Sequence, residues 1–273
     1  VAAGLIESTG YNFSSLGDVT PYLEPTCAGP TTQWATRTAQ KYKAYVTAGY
    51  PEKSSAVNAD GSTVNYNSIV TVSPKGDVLI NYRKLFLYYT DETWASEGEN
   101  SPKGFYAGDI EGIGSVSMGI CMDINPYKFL AEWNKYEFAN HVLQSRSQLV
   151  ILSMAWLTRL APQELTELPL RPDNETLSYW VERFYPLQMS TGQPVFLVFA
   201  NRCGIEGSAC YAGTSSILCF RDGRGYIYDM LGKWDEQCMM VDLQKVSDGL
   251  RDVMNTSLMQ FQSLRSMNFH KMH

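Results

Sequence analysis

Apolar and polar positions along this chain alternate between a helical and an extended period. Over residues 30–43, Trp34, Ala35 and Ala39 recur at helical spacing, and Thr31 or Thr32 is placed to cap the first turn. Residues 44–50 then predict a buried strand that ends at Pro51. Residues 64–72 and 78–82 predict two strands joined by Ser73-Pro-Lys-Gly-Asp77, a turn of the kind Pro and Gly permit. Residues 115–121 form a short apolar strand that stops at Cys121. The longest helical stretch is 127–148, with Phe129, Leu130, Trp133, Phe138, His141 and Val142 on or near one face. Residues 149–154 are apolar throughout, as a strand buried on both faces requires.

A polar, proline-containing loop over 158–173 follows, then a helix over roughly 175–189. The last third is strand-rich, with candidates at 195–200, 215–220, 225–228 and 238–243 and a turn at Arg221-Asp-Gly-Arg-Gly225. Residues 254–273 carry many Met and Ser and no clear pattern, and are expected to be a disordered tail. Without a linker or repeat, residues 1–273 are expected to form one domain. Helices between strands, together with hairpins, imply an α/β fold with mixed sheets and helices outside.

Composition narrows the function classes. The chain has 273 residues, 44% hydrophobic and 18% charged, enough for a substantial core. A net charge of −6 without a basic stripe argues against a nucleic-acid partner. The longest apolar runs are about half the length of a membrane span, and no secretory signal opens the sequence. The six cysteines include no CxxC pair and suit free thiols in the cytoplasm. Without a signal peptide the sequons at Asn12, Asn174 and Asn255 carry no weight.

Two residues invite chemistry. Cys121 stands where an apolar strand gives way to Met122-Asp-Ile-Asn-Pro126, so backbone N–H groups there favour a thiolate and an oxyanion. On local grounds alone it reads first as a buried structural thiol. Lys84 follows the strand end Tyr82-Arg83, and by itself is a solvated edge lysine; Glu92, eight residues on, is by itself a loop carboxylate. With only three histidines and no G-x-S-x-G elbow, a serine triad is not supported. His270 and His273 read as part of the tail rather than a metal site, and Gly112-Ile-Gly114 is too incomplete for a phosphate loop. No cofactor and no metal are implied.

Taken together, the Lys84 strand end, Glu92 and Gly119-Ile-Cys-Met-Asp123 resemble the nitrilase (carbon–nitrogen hydrolase) superfamily. Asn201-Arg-Cys-Gly204, Tyr211-Ala-Gly-Thr-Ser-Ser216 and the segment from Glu236 to Leu243 extend the resemblance. One branch fits better. Asn81-Tyr-Arg-Lys84, Cys121-Met-Asp-Ile-Asn-Pro-Tyr-Lys-Phe129, Met154-Ala-Trp-Leu157, Thr9-Gly-Tyr-Asn-Phe13 and Leu177-Ser-Tyr-Trp-Val-Glu-Arg183 resemble fungal protein N-terminal amidases.

The resemblance implies a four-layer α-β-β-α sandwich, two mixed sheets with outer helices. It implies hydrolysis of the side-chain amide of an N-terminal Asn or Gln on a peptide or protein, through a thioester on Cys121. Lys84 and the N–H of Met122 would hold the oxyanion, and Glu92 would orient Lys84. Trp156 falls on the substrate side, and Asp123 in the turn after the nucleophile. The family's general base is a glutamate in a Pro-Glu run a few residues before Thr-Gly-Tyr. Here Leu5 falls at that position, and Glu7, two residues displaced, is the only carboxylate nearby. Glu52 also follows a proline but is expected to be structural. The start at Val1 suggests a fragment or misjoined gene model lacking the first strand–helix–strand, or else a bulge that brings Glu7 into place. A small-molecule amidase or carbamoylase, and a catalytically dead binding homologue, are the alternatives.

Overall fold

The structure is a computed structural model that describes residues 3–6, 12–99, 104–243 and 251–252. Its first half runs β1 (Ala3–Ile6), α1 (Leu16–Val19), β2 (Glu24–Pro25), α2 (Pro30–Tyr42), β3 (Tyr45–Val57), β4 (Thr63–Val72) and β5 (Val78–Arg83). β3, β4 and β5 form an antiparallel meander. β1 and, further along, β2 pair in parallel with the other side of β3.

The second half runs β6 (Tyr106–Ile110), β7 (Gly114–Ile120), α3 (Glu137–Gln144), β8 (Leu149–Met154), α4 (Pro162–Thr166), α5 (Asn174–Arg183), α6 (Tyr185–Gln188) and β9 (Val195–Asn201). Then come β10 (Cys203–Glu206), β11 (Ala209–Ala212), β12 (Ser216–Arg221), β13 (Arg224–Met230) and β14 (Arg251–Asp252). This sheet has the order β14-β13-β12-β9-β8-β7-β6, with β7, β8 and β9 parallel and the rest antiparallel; β10 and β11 make a separate hairpin.

Alternation along each strand builds the layers, because successive side chains leave a strand on opposite faces. Tyr45, Ile69, Ile80 and Tyr82 of the first sheet meet Val116, Met118, Ile120 and Ile151 of the second in one cluster. On its other face the first sheet packs Val46, Ala48, Tyr50, Val70 and Val72 against Ala35 and Ala39 of α2. The second sheet turns Val150, Leu152, Leu197 and Phe199 outward, onto Phe138 and Val142 of α3, Trp180 of α5 and Leu187 of α6. The result is the expected helix–sheet–sheet–helix sandwich.

Several local expectations change. Pro51 does not end β3; it lies between the β1 and β2 pairings, where its missing N–H leaves no outer strand short of a donor. The predicted helix over 127–148 shrinks to α3, preceded by short 3-10 turns. Lys128, Phe129 and Tyr136 have positive φ, and Leu130 is 85% exposed, so the apolar residues at the start of that stretch do not share a buried face. The helix over 175–189 breaks at Phe184, because Pro186 has no N–H to donate within a continuous helix. No strand forms over 238–243, where Cys238 and Met240 are exposed. β6 and the β10–β11 hairpin are additions to the predicted elements.

Gly119 on β7 is fixed by close packing: a Cβ there would stand 2.9 Å from the ring of Phe138 and 3.0 Å from Leu152. Gly119→Ala is therefore expected to lower unfolding free energy by about 1–3 kcal/mol, the usual cost of overpacking a filled core. Urea unfolding followed by circular dichroism measures it.

Candidate active site

Lys84 is the first residue beyond β5. Its N–H donates to Asn67 O on β4 at 2.8 Å, and its carbonyl accepts the N–H of Gly98 at 2.8 Å. A crossing segment thus lies against the strand end so closely that a Cβ at Gly98 would fall 2.3 Å from Arg83 O. With its backbone held on both sides, Lys84 sends its side chain inward and is only 3% exposed.

A lone ammonium at that depth would be costly to desolvate. It is paired: Nζ lies 2.5 Å from Asp91 Oδ2. Asp91 also accepts the N–H of Tyr88 at 2.9 Å and Nδ2 of Asn67 at 3.1 Å. Burial works to lower the Lys84 pKa, but the charge of Asp91, with Cys121 and Asp123 adding to it, holds it above the ordinary lysine value. Lys84 is therefore a cation at neutral pH.

Cys121 arrives from the other sheet, directly after β7, and opens the 3-10 turn Cys121–Ile124. Its φ is 42°, in the left-handed region that non-glycine residues avoid. Such a conformation persists only where its surroundings over-determine it. Asp123 supplies much of that constraint. Fully buried, it accepts the N–H of Ile120 at 2.7 Å and the Tyr82 hydroxyl at 2.8 Å on Oδ2, and the N–H groups of Leu85 at 3.1 Å and Phe86 at 2.8 Å on Oδ1. Burial pushes its pKa up to about 6, against the pull of Phe86, Ile120, Lys84 and Tyr82. Met122, buried, follows the cysteine near the start of this turn, where the first N–H groups have no acceptor within the turn's own main chain.

The two strand ends open onto one small cleft whose walls include Cys121, Lys84, Asp91, Asn67, Tyr88 and Ser153. Ser153 belongs to β8 and sits beside Ile120 of β7 in the parallel register. Sequence reasoning missed Asp91, Asn67, Tyr88 and Ser153. One of them left a signal: Ser153 is the polar residue of the otherwise apolar buried strand β8, where a polar side chain must have a partner or a task.

The expectation that Glu92 orients Lys84 is corrected. Glu92 is exposed and its N–H donates to Tyr88 O at 3.1 Å, while Asp91 holds the lysine. Both lie in one 3-10 turn, Asp91–Thr93, where successive side chains point about 120° apart at roughly three residues per turn, so only one of two neighbours faces inward.

Trp156 follows the wall residue Ala155 but is not itself part of the cleft wall. Its N–H donates to Asn201 Oδ1 at 2.7 Å and its ring stands 5.4 Å from Tyr179. Glu7, His270 and His273 lie outside the described residues. Glu52 behaves as a structural carboxylate: fully buried, it accepts from Thr26, Ser68, Asn81 and Arg83. Burial works to raise its pKa, but those donors hold it below the ordinary glutamate value. Among the described residues no His, Cys, Asp and Glu cluster could hold a metal ion.

A four-layer sandwich with a thiol and a buried lysine at facing strand ends is the architecture of a carbon–nitrogen hydrolase. The carbon–nitrogen hydrolase family matches residues 6–128. A protein N-terminal amidase of Schizosaccharomyces pombe is 36% identical over 251 residues, covering 87% of this chain and 84% of its own. The protein N-terminal amidase of Saccharomyces cerevisiae is 34% identical over 167 residues, covering 55% of this chain and 34% of its own. In fold, the protein is similar to the crystal structure of an N-terminal amidase with an Asn-Glu-Ala peptide, with a TM-score of 0.71 and 22% identity over 85% of this chain and 86% of that one. The protein belongs to the carbon–nitrogen hydrolase superfamily, in its protein N-terminal amidase branch.

The buried carboxylate gives a pH signature. With its native pKa raised to about 6, Asp123 takes up a proton in the folded state before the unfolded state does. Acidification from about pH 7 to about pH 4 therefore stabilises the native state through this group, by about 2–3 kcal/mol, as carboxylates such as Glu52 oppose it. Asp123→Asn removes this component. Unfolding free energies measured across that window should show the wild type gaining on the variant as pH falls.

Proposed function

We propose that this protein is a cysteine amidohydrolase that deamidates N-terminal Asn or Gln of peptides and proteins, giving Asp or Glu and ammonia. The observation that carries the proposal is the cleft where the Cys121 thiol, on its left-handed turn, meets the buried Lys84–Asp91 pair. Membership of the N-terminal amidase branch supports the substrate class. The bond broken is the carbon–nitrogen bond of the side-chain amide, outside the peptide backbone.

A primary amide is a poor electrophile, and covalent catalysis divides its hydrolysis into two easier steps. Cys121 Sγ attacks the carbonyl carbon, and the carbonyl oxygen becomes an oxyanion. Lys84 and the N–H of Met122 stabilise that charge where it develops. Asp91 keeps Lys84 protonated and directed. We assign the thiol proton to Glu7, the residue directly after β1, which passes it to departing ammonia. Water, deprotonated by the same carboxylate, then attacks the thioester, releases the acid and restores the thiol. Trp156 and the cleft walls are assigned to the substrate side. No metal or cofactor takes part in this scheme, and the cytoplasm is its proposed setting.

The test is incubation with a short peptide beginning in Asn, read by mass spectrometry for conversion of amide to acid and by release of ammonia. Cys121→Ala is expected to abolish conversion, and acetylation of the peptide's amino group to block it. A protein that spares free Asn and Gln peptides but hydrolyses acetylated ones, or small free amides alone, overturns the substrate assignment. Among the site residues, Lys84→Met is expected to lower kcat by ~100-fold or more, the scale of losing one oxyanion contact. Asp91→Asn should follow it, whereas Glu92→Gln should leave steady-state kinetics near wild type. Loss at Glu92 with none at Asp91 would reverse the assignment of the lysine's partner.

A further inference from the structure

One buried cation has no part in the chemistry described so far. Arg183, the last residue of α5, is 1% exposed. Its Nε donates to Ile124 O at 2.8 Å and its Nη1 to Trp133 O at 2.6 Å. The guanidinium lies over the rings of Trp133 at 4.5 Å and Tyr136 at 4.9 Å. Its Nη2 faces Glu137 Oε2 at 3.9 Å, and Glu137 Oε1 in turn accepts the N–H of Tyr127 at 3.2 Å.

One turn earlier on α5, the Tyr179 hydroxyl donates to Asn125 Oδ1 at 2.6 Å. Asn125 reaches back to the residue after the cysteine: its N–H donates to Met122 O at 2.9 Å and its Nδ2 to Met122 Sδ at 3.0 Å. α5 therefore grips the stretch that begins at the nucleophile turn at separate points, by side chains that reach main-chain carbonyls and a buried amide.

Filling space does not call for a guanidinium, since burying one is costly and an apolar side chain packs as well. Its fork of N–H groups does suit holding carbonyl oxygens in fixed positions, and it stays charged while doing so. The structure that needs holding is at hand. Cys121 has a φ of 42°, and the turn it opens ends at Ile124, the residue Arg183 grasps.

We propose that Arg183 and Tyr179 are positioning residues for the reaction at Cys121. They fix the downstream end of the turn, as Asp123 fixes its upstream end. Between the two anchors, Cys121 stays in its left-handed conformation and the Met122 N–H stays aimed at the developing oxyanion. Misplacement of a reacting group by a fraction of an ångström is enough to cost rate without loosening substrate. The kinetic consequence rests on the amidase reading; the chemical state of the thiol does not.

Tyr179→Phe and Arg183→Lys test this. The first keeps the ring in its contacts with Trp133 and Trp156 and removes one hydroxyl; the second keeps the charge and removes the fork. For each, kcat and KM would be measured on an Asn-starting peptide. The rate of iodoacetamide alkylation would be followed at Cys121 and at exposed Cys238 over a pH series, resolved by peptide mass mapping. Thermal melting would be recorded alongside.

Tyr179→Phe is expected to melt like the wild type, lose about tenfold in kcat with KM nearly unchanged, and shift the pH profile of alkylation at Cys121 but not at Cys238. Arg183→Lys is expected to show the same pattern more strongly. A folded Tyr179→Phe with wild-type kcat and a wild-type Cys121 profile overturns the proposal, as does an equal change at Cys238. Should Arg183→Lys fail to fold, Tyr179→Phe decides alone. If even the wild type leaves the peptide untouched, the amidase reading fails, and the alkylation profile still decides this one.

Discussion

The carboxylate of Asp123 is the tie on which this site depends. It sits between two sheets joined largely by apolar side chains, which resist separation but offer little resistance to sliding. Asp123 takes N–H groups from the end of β7 and from the segment after β5 at once, with a hydroxyl from Tyr82 between them. Directional bonds of this kind set a register between sheets that packing alone leaves loose. The cleft lies at this seam, so the distance from lysine to thiol is set by the same carboxylate that closes the sandwich.

The charges around the thiol are as important as their positions. Among the described groups, one ammonium stands beside two carboxylates, Asp91 and Asp123. The proposed chemistry asks only for a thiol that ionises as a base takes its proton, at the moment of attack. Lys84, already committed to Asp91, is then available to meet a new negative charge without a change in its own protonation.

Much of this was legible in the sequence, and the exceptions have physical causes. The strands showed because burial on one or both faces imposes apolar runs or alternation, as in β4, β7 and β8. Cys121 and Lys84 each terminate such a run, but it was the resemblance to the nitrilase superfamily, not position alone, that singled them out. The helix expected from residue 127 did not form, since its apolar residues serve a loop of left-handed turns rather than one face. The choice between Asp91 and Glu92 depended on the phase of a short 3-10 turn, which neighbouring acidic residues do not reveal. Arg183 was visible as part of a helical run and of the stretch that carries the family resemblance, but its task depends on carbonyls that come from a segment far away in sequence.

The crossing of the Gly98 segment over Lys84 closes a short loop that carries Tyr88 and Asp91. Lysine and carboxylate are only seven residues apart, so this half of the site can form together with the antiparallel meander of the first sheet. The other half, with Cys121 and Ser153, belongs to the parallel strands of the second sheet, whose pairing demands longer-range order. The two halves are then separate assemblies that become one catalyst only on docking. During refolding, recovery of activity would time the meeting of the sheets and not the making of either.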